Sequence, residues 1–150
     1  MESLFYSYLE VDQVHFWTKS SDVPSTSPIQ LTTTGLNMFF PGMEAYYGPN
    51  LPVDIEYKLE DLENFKCLGA DSSMSFDGDL GVKFWVNFPN KTSDMAVDIM
   101  LEQLLVNFTG LVINGNQVDL IVREVILNKI EITSSTFGDV NLSLLTKLLN

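Results

Sequence analysis

The stretch that most constrains this fold is residues 73–88, SMSFDGDLGVKFWVNF. Every second position from Met74 is apolar or glycine: Met74, Phe76, Gly78, Leu80, Val82, Phe84, Val86 and Phe88. Such alternation is the signature of a strand with one buried face. A common strand is only about 5–6 residues long, so this apolar wall is roughly three times the usual length. A chain that makes one wall this long needs neighbours of matching length and something apolar for the wall to face.

The neighbours are readable on both sides. LPVDIEYKL sets Val53, Ile55, Tyr57 and Leu59 on one face. After the turn sequence PNKTSD, Val97, Ile99 and Leu101 alternate, then Leu104, Val106 and Phe108, with the phase slipping by one near Gln103. Past a hairpin signal at Asn114-Gly115, Val118, Leu120 and Val122 give way to Val125 and Leu127, then to Ile130 and Ile132. A phase slip inside a strand predicts a bulge, which bends the strand and sharpens its twist. Repeated slips predict a strongly coiled antiparallel sheet.

Two segments carry helical spacing instead. In TTTGLNMFFPGMEAYYG (32–48), Leu36, Phe39, Phe40, Met43, Tyr46 and Tyr47 form a stripe at i, i+3, i+4, i+7, i+10 and i+11,. The threonines read as an N-cap and Gly48-Pro49 as a stop. Pro41 removes a hydrogen bond and, with Gly42, predicts a kink. At the C-terminus VNLSLLTKLLN predicts a second, leucine-rich helix, with Asp139 or Asn141 as its cap. The expected fold is therefore α+β over a single domain, residues 1–150: a long kinked helix packed in a highly curved, twisted antiparallel sheet, with a second helix at the C-terminus. Residues 1–30 mix an apolar, aromatic stretch with a Ser, Thr and Pro loop.

Charge and composition exclude several functions. Eight basic against 20 acidic side chains give a net charge of −12, which disfavours nucleic acid and anionic membranes, since both are bound through clustered Lys and Arg. No apolar run approaches the roughly 18 residues of a membrane span. The start MESLFYSYLEVDQ has no basic head, long apolar core or small-residue cleavage site, so it does not read as a secretory signal. Cys67 and His15 are each the only residue of their kind, leaving no internal disulfide, no zinc-finger spacing and no cofactor motif. Catalysis would need His15 with Cys67 or with a serine, about fifty positions from Cys67 and without a G-x-S-x-G elbow, so no enzyme is expected. Asp71, Asp77 and Asp79 lack calcium-loop spacing and read as a solvated rim. Trp85 and Lys83 fall on the outer face of the long strand, where a neighbouring segment is expected to cover the indole. Of three N-x-S/T sequons, at Asn90, Asn107 and Asn141, Asn90 in its turn is the candidate glycan acceptor.

IQLTTTGLNMFFPGMEAYYGPNLPVDI resembles the first helix and following strand of the C-terminal domain in the bactericidal/permeability-increasing and lipopolysaccharide-binding protein family. The likeness continues through the turn FPNKTSD, the long hairpin at INGNQ and the leucine-rich helix, over residues 28–150. It implies a tubular lipid-binding barrel that holds acyl chains in an apolar groove between helix and sheet, and an extracellular, secreted glycoprotein of a family with roles in innate immunity. The groove would be lined by Leu36, Phe39, Phe40, Met43 and Tyr47 facing Phe76, Leu80, Val82, Phe84, Val97 and Ile99, with Gly78 at a bend or close helix approach. The implied partner is a phospholipid or similar amphiphile. The family's N-terminal barrel and last strand are not in this sequence, so the alternative is a filled, structural domain that docks to another barrel or chain through an open edge. Lipopolysaccharide binding goes with cationic residues of that N-terminal barrel, and this acidic chain does not carry it.

Overall fold

The computed structural model describes residues 15–68, 73–114 and 117–149. Five antiparallel strands follow one another across a single sheet in chain order. They are β1 (His15–Thr18), β2 (Val53–Leu68), β3 (Ser73–Asn87), β4 (Ser93–Asn114) and β5 (Gln117–Ser135). Between β1 and β2 runs a string of turns that ends in a short helix, α1 (Met43–Tyr47), and α2 (Leu142–Leu149) follows β5. With 22 residues at about 3.3 Å each, β4 is roughly 70 Å long,.

The expected long kinked helix is not there, and with it goes the helix-in-barrel arrangement; the described residues are mostly sheet with two short α-helices. The reason lies in the same residues that suggested the helix. Thr33 donates its hydroxyl to the Gly48 carbonyl (2.7 Å) and accepts the Leu51 N–H (3.1 Å). Thr34 donates to Glu44 (3.0 Å) and accepts the Asn50 N–H (3.0 Å). Threonine hydroxyls thus tie the two ends of the segment together, competing with helical bonding as short polar side chains do. Gly42 sits at φ +96°, the left-handed conformation that glycine tolerates and a continuing helix forbids, directly after Pro41, which has no N–H to give. What survives is the stripe: Leu36, Phe39, Phe40 and Met43 are all buried.

The register builds the sheet's inner face in rows. Ile55, Phe84 and Val97 stand side by side, then Tyr57, Val82, Ile99 and Ile132, then Leu59, Leu80, Leu101 and Ile130. Further along come Leu62, Gly78, Leu104 and Leu127, and then Phe65, Phe76, Val106 and Val125. Bulges keep these rows apolar. Gly78 faces Leu104 and Leu80 faces Leu101, so Asp79 opposes both Glu102 and Gln103. Gln103 takes φ +53°, and its N–H is held by the Asp79 carboxylate at 2.9 Å. β5 keeps step with β4 there, which explains why both strands change phase at this level.

On β2 the irregularities fall at Leu59/Asp61 and at Leu62/Asn64, so the inward residues Leu59, Leu62 and Phe65 are three apart. Gly78 is needed where β2 bulges toward it: a Cβ would run into the Asp61 carbonyl and meet the Leu62 Cα at 3.2 Å. The close approach is by a strand, not by a helix.

The core lies at one end of this sheet. Leu31, Leu36, Phe39, Phe40 and Met43 from the turns pack on Val53, Val86, Ala96 and Val97, with Phe137, Val140 and Leu144 closing the side. Asn141 anchors that closing segment. Its N–H bonds to the Phe39 carbonyl (3.0 Å), and its side chain accepts the Leu144 N–H at the start of α2 (3.3 Å). Toward the other end, Phe65, Met74, Phe76 and Phe108 are half-buried and lie outside the core cluster. Residues 115–116, where the hairpin signal falls, and Asp71 lie outside the described residues; Asn114 pairs with Gln117.

Candidate functional site

Between the turns and the middle rows of the sheet the packing leaves a cavity of about 380 Å³. Its roof is Ile29, Leu31, Leu36, Phe39 and Phe40 from the turns. Its floor is Ile55 and Tyr57 from β2 with Leu80, Val82 and Phe84 from β3. Ile99, Leu101 and Leu104 of β4 and Val125 and Ile130 of β5 complete the wall. No Asp, Glu, Lys, Arg or His side chain lines it, and the Tyr57 hydroxyl is the one polar side-chain group on the lining. Val125, 39% exposed, is the lining residue most open to solvent and marks the rim.

Its size falls in the range of ligand pockets,. Ligand pockets are typically about 300–1,000 Å³ and mostly apolar. A volume of 380 Å³ would hold roughly a dozen waters at about 30 Å³ each,, but water needs polar partners, and apolar cavities even of about 150 Å³ stay dry. Hydrocarbon needs none.

Seven of the residues expected to line a groove do line this cavity: Leu36, Phe39, Phe40, Leu80, Val82, Phe84 and Ile99. Met43 and Val97 are instead packed solid in the core, each at 0% exposure. Phe76 lies in the row beyond, between Phe65 and Val106. Tyr47 acts as a clasp: its hydroxyl donates to Asp94 (3.1 Å) and lies 2.6 Å from the Thr136 hydroxyl. Burial, reinforced by the Asp94 carboxylate and only partly offset by Thr136, pushes its pKa up to about 12. Sequence reasoning missed Ile29, Leu31, Ile55 and Tyr57 as lining, and on the far wall Leu101, Leu104, Val125 and Ile130; Ile55, Tyr57 and the last four were legible on alternating faces, but not as facing the roof.

The outer face is polar. Glu56 accepts the Trp85 indole N–H at 2.7 Å and holds His15 at 2.7 Å. Trp17 of β1 covers Trp85 at a ring separation of 6.3 Å, and Lys19 sits 4.4 Å over Trp17. Burial would raise Asp54, but bonds from the Ser20 N–H, Asn87 and Lys19 outweigh it and hold its carboxyl below the usual range. Asp98 goes the other way: burial raises it, and Lys83 at 3.9 Å does not compensate.

His15 pairs with Lys58, nine positions along β2 from Cys67, on the order of 30 Å at strand rise, so the two residues are far apart along the sheet. Asp79 is not a free rim carboxylate but the partner of the Gln103 bulge. Asn90 is exposed in the β3–β4 turn, its side-chain Oδ1 accepting the Thr92 N–H (3.1 Å) and hydroxyl (2.6 Å). Asn107 is engaged with Glu124 within the sheet (2.9 Å) and Asn141 caps α2.

The fold has a counterpart among solved proteins. The crystal structure of lipopolysaccharide binding protein matches 97% of this chain with a TM-score of 0.66 at 17% sequence identity. The fold is that of the bactericidal/permeability-increasing and lipopolysaccharide-binding family. This chain spans 30% of the length of that protein. No protein-family model and no curated protein sequence matches it. The fold therefore stands as the family's, while its expected long helix is replaced here by turns. Among the described residues no helix is long and apolar enough to cross a membrane.

Proposed function

We propose that this chain is a non-catalytic binding module that takes the hydrocarbon part of a phospholipid or similar amphiphile into the cavity beneath the turns. The observation that carries this reading is a cavity of about 380 Å³ whose lining holds no Asp, Glu, Lys, Arg or His side chain. The solved structure of similar fold bears the name of a protein that binds a lipid-containing glycan, which supports the same class of ligand. Burying a methylene contributes about 0.8 kcal/mol. Ten of them give on the order of 8 kcal/mol before the entropy of association is subtracted, enough for retention without a charged contact. The head group would remain at the Val125 rim, in solvent. An extracellular setting, with Asn90 as glycan acceptor, belongs to the same proposal.

Organic extraction of protein purified from a eukaryotic host, followed by mass spectrometry, tests it. Lipid near one equivalent is expected, and Phe84→Asp, in a preparation with an unchanged far-ultraviolet spectrum, should lose it. A trace of lipid in the parent protein, or an equal load in the variant, would overturn the reading.

A further inference from the structure

β5 ends the sheet, and its outer edge has no pairing partner among the described residues. Edge strands usually carry protection against pairing with other chains, such as charges, prolines or very short length. Here the edge carries Ile121, Val122, Val125 and Ile126, exposed at 64, 54, 39 and 39%. The sequence across them, residues 120–127, is LIVREVIL. It reads the same in both directions except at its centre, where Arg123 meets Glu124.

We propose that this edge pairs antiparallel with β5 of a second copy about a two-fold axis between Arg123 and Glu124. Every rung is then matched. Leu120 stands opposite Leu127 of the second copy, Ile121 opposite Ile126, Val122 opposite Val125, and Arg123 opposite Glu124. An isologous interface requires this kind of self-complementarity, and opposite charges directly across a pair of strands are favourable where like charges are not.

The bulge makes the pairing geometrically consistent. In an unbroken strand, residues 122 and 125 lie on opposite faces. A two-fold perpendicular to the sheet would then set an inward side chain against an outward one. In β5 the register passes from Phe108–Val122 to Asn107–Glu124, with Arg123 as the extra residue. Val122 and Val125 therefore both stand beside inner-face partners, Phe108 and Val106, while Ile121 and Ile126 stand beside Thr109 and Leu105. The one-residue slip brings Val122 and Ile121 onto the same faces as their symmetry mates Val125 and Ile126. Arg123 and Glu124 border one hollow with Ser75 and Asn107, and both are exposed, so the two charges share one face; Glu124 would turn from the Asn107 amide, which it accepts at 2.9 Å, to meet Arg123 of the second copy.

Sedimentation equilibrium of the 150-residue chain, alone and as charge variants, tests the proposal. The parent chain should dimerise. Arg123→Glu and Glu124→Arg each replace both symmetric attractions by repulsions and should weaken the dimer roughly tenfold or more. Mixing the two variants restores both opposite-charge rungs, so a heterodimer of parental strength should form even though each variant alone is weakened. A monomeric parent, single variants that dimerise like the parent, or a mixture no stronger than its components would each overturn it. Neither substituted residue lines the lipid cavity, so an unchanged lipid load in these variants separates this result from the fate of the binding proposal.

Discussion

Val82 stands in the middle of the cavity floor, between Tyr57 and Ile99 in its row, 7% exposed. Replacing it by phenylalanine adds about four side-chain carbons. If the interior above Val82 were filled, that addition would overpack it and cost about 1–3 kcal/mol. If the cavity is space for hydrocarbon, the ring enters it instead and recovers burial worth up to about 3 kcal/mol at about 0.8 per carbon. The same ring displaces roughly four methylenes of any bound chain. Lipid affinity should fall by a similar amount, about two orders of magnitude. Urea denaturation of delipidated parent and variant reads the first quantity, and displacement of a fluorescent fatty acid reads the second. Equal or greater stability with a large loss of affinity is expected. A variant that loses about 1–3 kcal/mol and binds the probe as the parent does would refute the reasoning.

Thr33→Val keeps the shape of a fully buried side chain but leaves the Gly48 carbonyl and the Leu51 N–H without its hydroxyl; a loss of about 2–4 kcal/mol is expected in urea melts. Gly78→Ala should destabilise by about 2 kcal/mol or more, since β2 must move to clear a Cβ,; a loss below about 0.5 kcal/mol in the same melts would show the approach to be looser. The folded-state pKa of Asp54 is depressed, so its contribution is present above its unfolded value and lost as pH falls through the folded one,. Asp54→Asn should therefore flatten the acid limb of a plot of stability against pH. Asp98 has a raised pKa, so its charge opposes folding at neutral pH, and Asp98→Asn should raise Tm at pH 7 and lose that advantage in acid,.

Much of the sheet was legible because a strand with one buried face writes its period into the sequence. The alternation from Met74 to Phe88 marked β3, and the slip at Gln103 marked a real bulge, since the chain must re-phase to keep Leu101 and Leu104 both inward. The far half of β2 was illegible for the same reason: two irregularities space Leu59, Leu62 and Phe65 by three, which mimics a helix. The stripe from Leu36 to Met43 gave burial correctly and conformation wrongly. Periodicity reports which side chains turn inward, whereas Thr33, Thr34 and the Pro41-Gly42 pair decide the hydrogen bonding. A role for Trp85 on the outer face was readable, but Glu56 and Trp17 as its partners depend on strand order, which no local pattern encodes.

The most direct test of the account is the position of the ligand itself. Crystals of the protein loaded with a fatty acid brominated along its chain would locate the hydrocarbon by anomalous scattering. The account predicts bromine density between Phe40 and Val82, beside Ile99 and under Leu36. Density confined to the outer face or to the far end of the sheet around Phe65 and Phe108, with the space above Val82 unoccupied, would contradict it.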